Sequence, residues 1–162
     1  MNTVGIALRL WIWAALIRLS KGFVPLARLV QLAHRSPVEG THAPTLEHDL
    51  ERYLTSKGRC PFRPPSNCLE RSLGAYRLLC GVGADPALVI GVNHSPLAGV
   101  KGHVWVTAGG RALAERADDL SVFTTIARFD AEGRQLAGGA ALREGLGYVK
   151  GYATLRQEQA RE

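Results

Sequence analysis

The sequence predicts an α+β fold: N-terminal helices, a central helix that starts at Cys68, and a small antiparallel β-sheet packed on that helix. Apolar residues recur at helical spacing as far as Cys80. Beyond the glycines Gly81 and Gly83 the period changes to continuous and alternating runs typical of strands. Helices come first and strands follow, an order that fits α+β and not the alternating units of a parallel sheet.

Residues 3–20 and 24–35 read as two helices broken at "KGFVP", where Gly22 and Pro25 interrupt the pattern. "SPVEGTHAP" (36–44) is a loop, after which Thr45 caps a short helix carrying Leu46, Leu50, Tyr53 and Leu54 on one side and ended by Gly58. The proline-rich "RCPFRPPS" leads to Asn67. Asn67 is a good N-cap, and Glu70 three positions later completes a capping-box pattern, so Cys68 is the first helical residue. Leu69, Leu73, Tyr76, Leu79 and Cys80 then follow at helical spacing. "ALVIGV" (87–92) reads as a buried strand and "GHVWVT" (102–107) as an alternating one, followed by "AGG" and the short run "RALAE". "TTIARF" (124–129) is a further strand. Residues from Gly133 onward are glycine-rich and weakly patterned, with a helical turn or two expected at Ala140 to Leu146. The organisation is therefore a single domain over 1–132, with 1–44 a helical docking segment, and an extension over 133–162.

A chain of 162 residues, 46% apolar and 21% charged, suits one core. Cys60, Cys68 and Cys80 form no CxxC pattern, and His34, His42, His48 and His94 lack ligand spacing, so no disulfide framework, metal or other cofactor is expected. Unpaired thiols point to a reducing, cytoplasmic compartment. The net charge of +6 comes from scattered residues without a basic run, which argues against nucleic acid as a partner. The uncharged stretch Leu10 to Ile17 lies between Arg9 and Arg18, far short of the roughly 20 residues that cross a bilayer. This segment reads either as a helix with one side packed on the body of the protein or, since Leu10, Trp11, Trp13, Ala14 and Ile17 exceed what one small-domain helix needs, as a docking surface for a partner protein or a membrane surface.

At the first position of a helix, Cys68 would sit among unpaired backbone N–H groups near the positive end of the helix dipole, which stabilises a thiolate. The Cys68 amide could hold the oxyanion of an attacked carbonyl, and Asn67 could add a donor, although capping is its favoured role. Free cysteines are also common core residues, so Cys68 reads either as a packed core thiol or as a nucleophile. His103 heads the face that Trp105 and Thr107 share, and reads either as a core histidine or as a general base. The hairpin after it decides which carboxylate it meets. A two-residue turn at Gly109 and Gly110 would set His103 opposite Arg116. A three-residue loop with Ala108 would pair Thr107 with Arg111 and set Glu115 opposite His103, giving a nucleophile, a base and an orienting carboxylate in chain order.

"CLERSLGAYRLLCGVGADPALVIGVN" followed by "KGHVWVTAGGRALAE" resembles the cysteine leader peptidase, the B protein, of lasso-peptide biosynthesis, whose core is transglutaminase-like and papain-like. The family pattern is a C-L-x-x-S-L helix, an I-G-V strand, and A-H-A-W-V-E followed by a D-G turn and an acidic residue. The resemblance covers about residues 60 to 129. It implies Cys68 as nucleophile, His103 as base and Glu115 in the place of the usual aspartate, with Asp118 or Asp119 as substitutes if the chain bulges after Ala114. It also implies a bacterial cytoplasmic enzyme that removes the leader from a ribosomally made antibiotic precursor. Its partners would be the precursor leader peptide, a small separate leader-recognition protein and the ATP-dependent lasso cyclase. The alternatives are another papain-like acyltransferase or amidase, and a non-catalytic adaptor of the same fold.

Overall fold

The computed structural model describes residues 3–38, 43–55, 67–95 and 99–137. The helix stop at Gly58, Cys60 and the turn expected at 140–146 lie outside the described residues. The two predicted N-terminal helices are α1 (Thr3–Ser20) and α2 (Leu26–Ala33), and the third is α3 (Ala43–Thr55). Pro25 stands at the N-cap of α2, where its fixed φ and missing N–H suit the start of a helix and the end of the preceding segment.

The inner side of α1 carries Ile6, Ala7, Leu10, Ala14 and Ile17, all buried against the core. Each large aliphatic side chain among them contributes on the order of 1.5–3 kcal/mol by leaving water. Gly74 of α4 (Cys68–Cys80) lets α1 approach closely: a Cβ there would lie 2.8 Å from Leu10 Cδ2. Arg77 of α4 lies over the Trp13 ring at 4.1 Å, and its Nη1 donates to the carbonyls of Leu32, Ala33 and His34. It thereby satisfies carbonyls left open where α2 ends. Of the five residues offered as a docking surface, Leu10, Ala14 and Ile17 are core and Trp13 is half-buried, so for these the helix packs on the body of the protein and the docking alternative is corrected. The outer side is apolar as well, with Val4, Leu8, Trp11, Ile12, Leu16 and Leu19 exposed, and Phe23 in the turn after the helix is 91% exposed. No described helix is long and apolar enough to cross a membrane.

α4 is the central element. Its sheet-facing side chains Leu73, Tyr76 and Leu79 pack with Leu88, Ile90, Val104, Val106, Ala127 and Phe129 in a single cluster. The sheet comprises β1 (Pro86–Ser95), β2 (Gly99–Ala108), β3 (Arg111–Ala112), β4 (Thr124–Phe129) and β5 (Gln135–Ala137), with a short helix α5 (Ala117–Leu120) before β4. Strand order is β3-β2-β1-β4-β5 and every pairing is antiparallel. The arrangement is the predicted α+β fold. Residues Pro86 to Gly91 of β1 are all buried, which explains its unbroken apolar run in the centre of the sheet.

The sheet runs past the boundary expected at residue 132. Asp130 accepts from the backbone N–H groups of Glu132 and Arg134, Gly133 takes φ +74°, and the chain returns as β5. The Tyr76 hydroxyl donates to the Asp130 carbonyl and His34 Nδ1 lies 2.7 Å from the Ala131 carbonyl oxygen, so this turn is tied to α4 and α2.

Candidate active site

The capping box read from the sequence is formed. Asn67 Oδ1 accepts from the Glu70 N–H at 2.9 Å, and the Asn67 N–H donates to Glu70 Oε2 at 3.4 Å. Asn67 thus acts as a cap, with its side-chain oxygen committed to the helix. Cys68 is the first residue of α4, half-buried and packed against the edge of the core. Cys80 contrasts with it: this thiol ends α4, is buried, and burial pushes it up to about 11, so it is a packing residue.

The hairpin after His103 has the two-residue turn, not the three-residue loop. Ala108 pairs with Arg111 and Thr107 with Ala112, while Gly109 and Gly110 take φ +56° and +78°, the left-handed pair that a tight hairpin turn requires. A continued ladder would set His103 against Arg116. The ladder instead ends after the Leu113 N–H donates to the Val106 carbonyl at 2.8 Å, because Ala114 turns into the left-handed region at φ +60°. For a residue with a Cβ that conformation costs about 1–2 kcal/mol. The departure swings Glu115 back, and its Oε1 reaches His103 Nε2 at 3.3 Å. The carboxylate expected at His103 is the one found there, delivered by a different route.

Leaving the ladder early also exposes the edge of β2, and α4 docks on it. The Ser72 hydroxyl donates to the Val104 carbonyl at 2.8 Å. Ser72 lies one turn beyond Cys68 on the same side of α4, so this bond anchors the first turn beside the residue that follows His103. Arg71 adds a second tie, with Nη2 3.5 Å from Glu115 Oε1. Helix start, imidazole and carboxylate are thereby linked through Arg71, which the sequence did not single out, and Ser72, the serine of the C-L-x-x-S-L pattern.

The imidazole is braced by aromatic rings. It stacks on Trp105 at 5.9 Å between centroids and meets Phe123 at 5.2 Å. Gly91, opposite His103 in the ladder, makes this possible: a Cβ there would lie 2.9 Å from Trp105 and 3.0 Å from Phe123. A fixed ring, one nitrogen of which faces a carboxylate, leaves Nδ1 as the nitrogen free to exchange a proton.

Asp118 and Asp119 lie on α5 and are exposed, with Asp118 4.0 Å from Arg116. Among the described ion pairs, His103 meets Glu115. A cleft of about 340 Å³ is lined by Leu54 and Thr55 of α3, Arg71 and Ala75 of α4, Trp105 of β2, and Glu115 and Asp119, with Cys68 and His103 outside its lining. It is continuous with the carboxylate and large enough for part of a peptide. No group of His, Cys, Asp and Glu able to hold a metal occurs among the described residues.

Comparison with curated proteins and with solved structures gives no match. The comparison with protein families matches residues 10–128 to the Transglutaminase-like superfamily, generally cysteine protease-like or acyltransferase-like in character. The match spans α1 through β4, and with it Cys68, His103 and Glu115. By sequence, by its helix-then-sheet order and by the extent of this match, the chain belongs to the Transglutaminase-like superfamily.

Proposed function

We propose that this chain is a cysteine peptidase that removes the leader from a ribosomally made lasso-peptide precursor. The observation that carries the chemistry is the ring-braced His103 paired with Glu115, set at the β2 edge on which the Cys68 end of α4 is anchored. The choice of substrate rests on the motifs "CLERSL" and "KGHVWVT".

In the reaction, the Cys68 thiol passes its proton to His103 Nδ1 and the thiolate attacks the scissile carbonyl. The backbone N–H of Cys68 and the helix dipole stabilise the resulting oxyanion. Glu115 accepts from Nε2–H, fixing the tautomer and favouring the imidazolium. The imidazolium then protonates the departing amine, leaving a thioester. Water, deprotonated at Nδ1, hydrolyses that thioester and restores the thiol. The products are a leader ending in a carboxylate and a core peptide with a free amino group, the group that an ATP-dependent cyclase would join to an acidic side chain.

A separate leader-recognition protein presents the substrate in this reading. The exposed side chains Leu8, Trp11, Ile12 and Leu19 of α1 form the docking face for it. Incubating a precursor peptide and leader-recognition protein with the enzyme, then weighing the products by mass spectrometry, tests the proposal. Wild type should give leader and core with the addition of one water, while Cys68→Ala should give neither and still bind its partner. A mass corresponding to ligation to an amine would instead assign an acyltransferase, and full cleavage by Cys68→Ala would overturn the catalytic role.

A further inference from the structure

α1 is apolar nearly all round, and a helix of that kind is ordinarily buried on every side. The core covers its inner side at Ile6, Leu10 and Ile17. With 3.6 residues per turn, the exposed side chains Val4, Leu8, Trp11, Ile12, Leu16 and Leu19 form one outer stripe, about 140° wide and about 22 Å long. Their spacing from Val4 onward is the anchor pattern of a helix that lies in an apolar groove of another protein. Arginines mark both borders of the stripe. Arg9 stands exposed on one border, and Arg18 stands on the other, where its guanidinium reaches Glu70. Arg18 therefore also serves α4, and the charge offered outward rests on Arg9. No acidic residue occurs among residues 1–38.

Charge separates the occupants that can cover such a face. A second copy of this chain would lay two helices without carboxylates against each other, arginine facing arginine. An anionic bilayer is held by clusters of about four to eight basic residues, whereas α1 carries two arginines, one of them tied to Glu70. A protein groove needs only an apolar floor and an opposite charge at its rim. We propose that the outer face of α1 fills an apolar groove on the leader-recognition protein, and that an acidic residue on the rim of that groove faces Arg9. This rests on the reading of the chain as a peptidase served by such a protein, and adds the chemistry of the surface that receives α1. On its opposite side α1 packs on α4, with Leu10 against Gly74, so the docked partner sits one helix away from the element that starts at Cys68.

The test is the affinity of the full chain for the leader-recognition protein used in the cleavage assay, measured by titration calorimetry at 50 and 500 mM NaCl. Leu8→Gln and Trp11→Gln should each weaken binding about tenfold or more. Arg9→Glu should weaken it about five- to tenfold at the lower salt and recover at the higher, where the repulsion is screened. Arg128→Glu, the same charge change on the exposed face of β4, should alter it less than about twofold. Thermal melts of the variants check folding, since all four side chains are exposed. Wild-type affinity in Leu8→Gln and Trp11→Gln, or binding that Arg9→Glu leaves unchanged, would overturn the proposal. So would a dimer in sedimentation, or flotation with vesicles of phosphatidylcholine and phosphatidylglycerol, that Trp11→Gln abolishes while the leader-recognition protein does not bind. Binding as expected without cleavage of the precursor would keep the docking surface and count against the peptidase. Cleavage without measurable binding would do the reverse.

Discussion

The candidate residues Cys68, His103 and Glu115 differ in how far a local pattern encodes their placement. The Asn67–Glu70 capping box is a four-residue feature, and the structure forms it as the sequence reads. The partner of His103 depends on backbone conformation further along the chain. Glu115 reaches it because Ala114 adopts φ +60°, for which alanine carries no sequence signal, so the contact with His103 expected from a three-residue loop forms from a two-residue turn. Arg71 and Phe123 touch the same network from other elements and could not be found by spacing. If Glu115 orients the imidazole, Glu115→Ala should lower the leader-cleavage rate by about 10²–10⁴-fold, the range of a lost general base, with little change in the melting temperature. Unchanged turnover would remove Glu115 from the mechanism.

At the scale of the element, the β2–β3 hairpin governs the site. Its two-residue glycine turn sets the register, Ala114 ends the pairing after Leu113, and the edge of β2 beyond it receives Ser72. Replacing Ala114 by Gly removes the steric cost of the left-handed conformation but adds chain entropy to the unfolded state, so a net gain of up to about 1 kcal/mol is expected. Urea unfolding would show this as a higher midpoint, whereas a lower midpoint would mean that the Ala114 methyl contributes more by packing. β5 escaped the sequence because three residues are too few for a period to appear, and α5, with four, escaped for the same reason. α1 was legible as a helix, but its faces were not. It is apolar nearly all round, so hydrophobic pattern could not separate Leu10 inside from Trp11 outside.

For the whole molecule, the order of helices and then strands was enough to give the α+β class, because one central helix and a buried strand leave few ways to pack. Buried and paired carboxylates tie the parts together and set the response to acid. Burial pushes Glu70 and Asp130 up, but Arg18 and Lys21 in the first case, and Arg134 with the turn N–H groups in the second, hold both below their usual ranges. A carboxyl group with a depressed folded value binds more protons unfolded than folded, so it stabilises the fold above its ordinary value and loses that contribution on acidification. The fold should keep this contribution above about pH 4.3, the ordinary glutamate value, and lose it as pH falls further. Urea midpoints at pH 7, 4 and 3 should fall in that order, and Glu70→Gln should flatten the acid limb. A midpoint independent of pH in this range would contradict the ion-pair account.

The most direct measurement of an activated nucleophile is iodoacetamide labelling at pH 7, resolved by cysteine, for wild type and His103→Ala. Wild type should label Cys68 faster than a free cysteine while leaving Cys80, whose thiol burial pushes up to about 11, unlabelled until the chain unfolds. His103→Ala should slow Cys68 to or below the free-cysteine rate and leave Cys80 protected. Equal labelling of Cys68 in the two proteins would show that His103 does not activate it, and would contradict the reading of this site as a cysteine-peptidase centre.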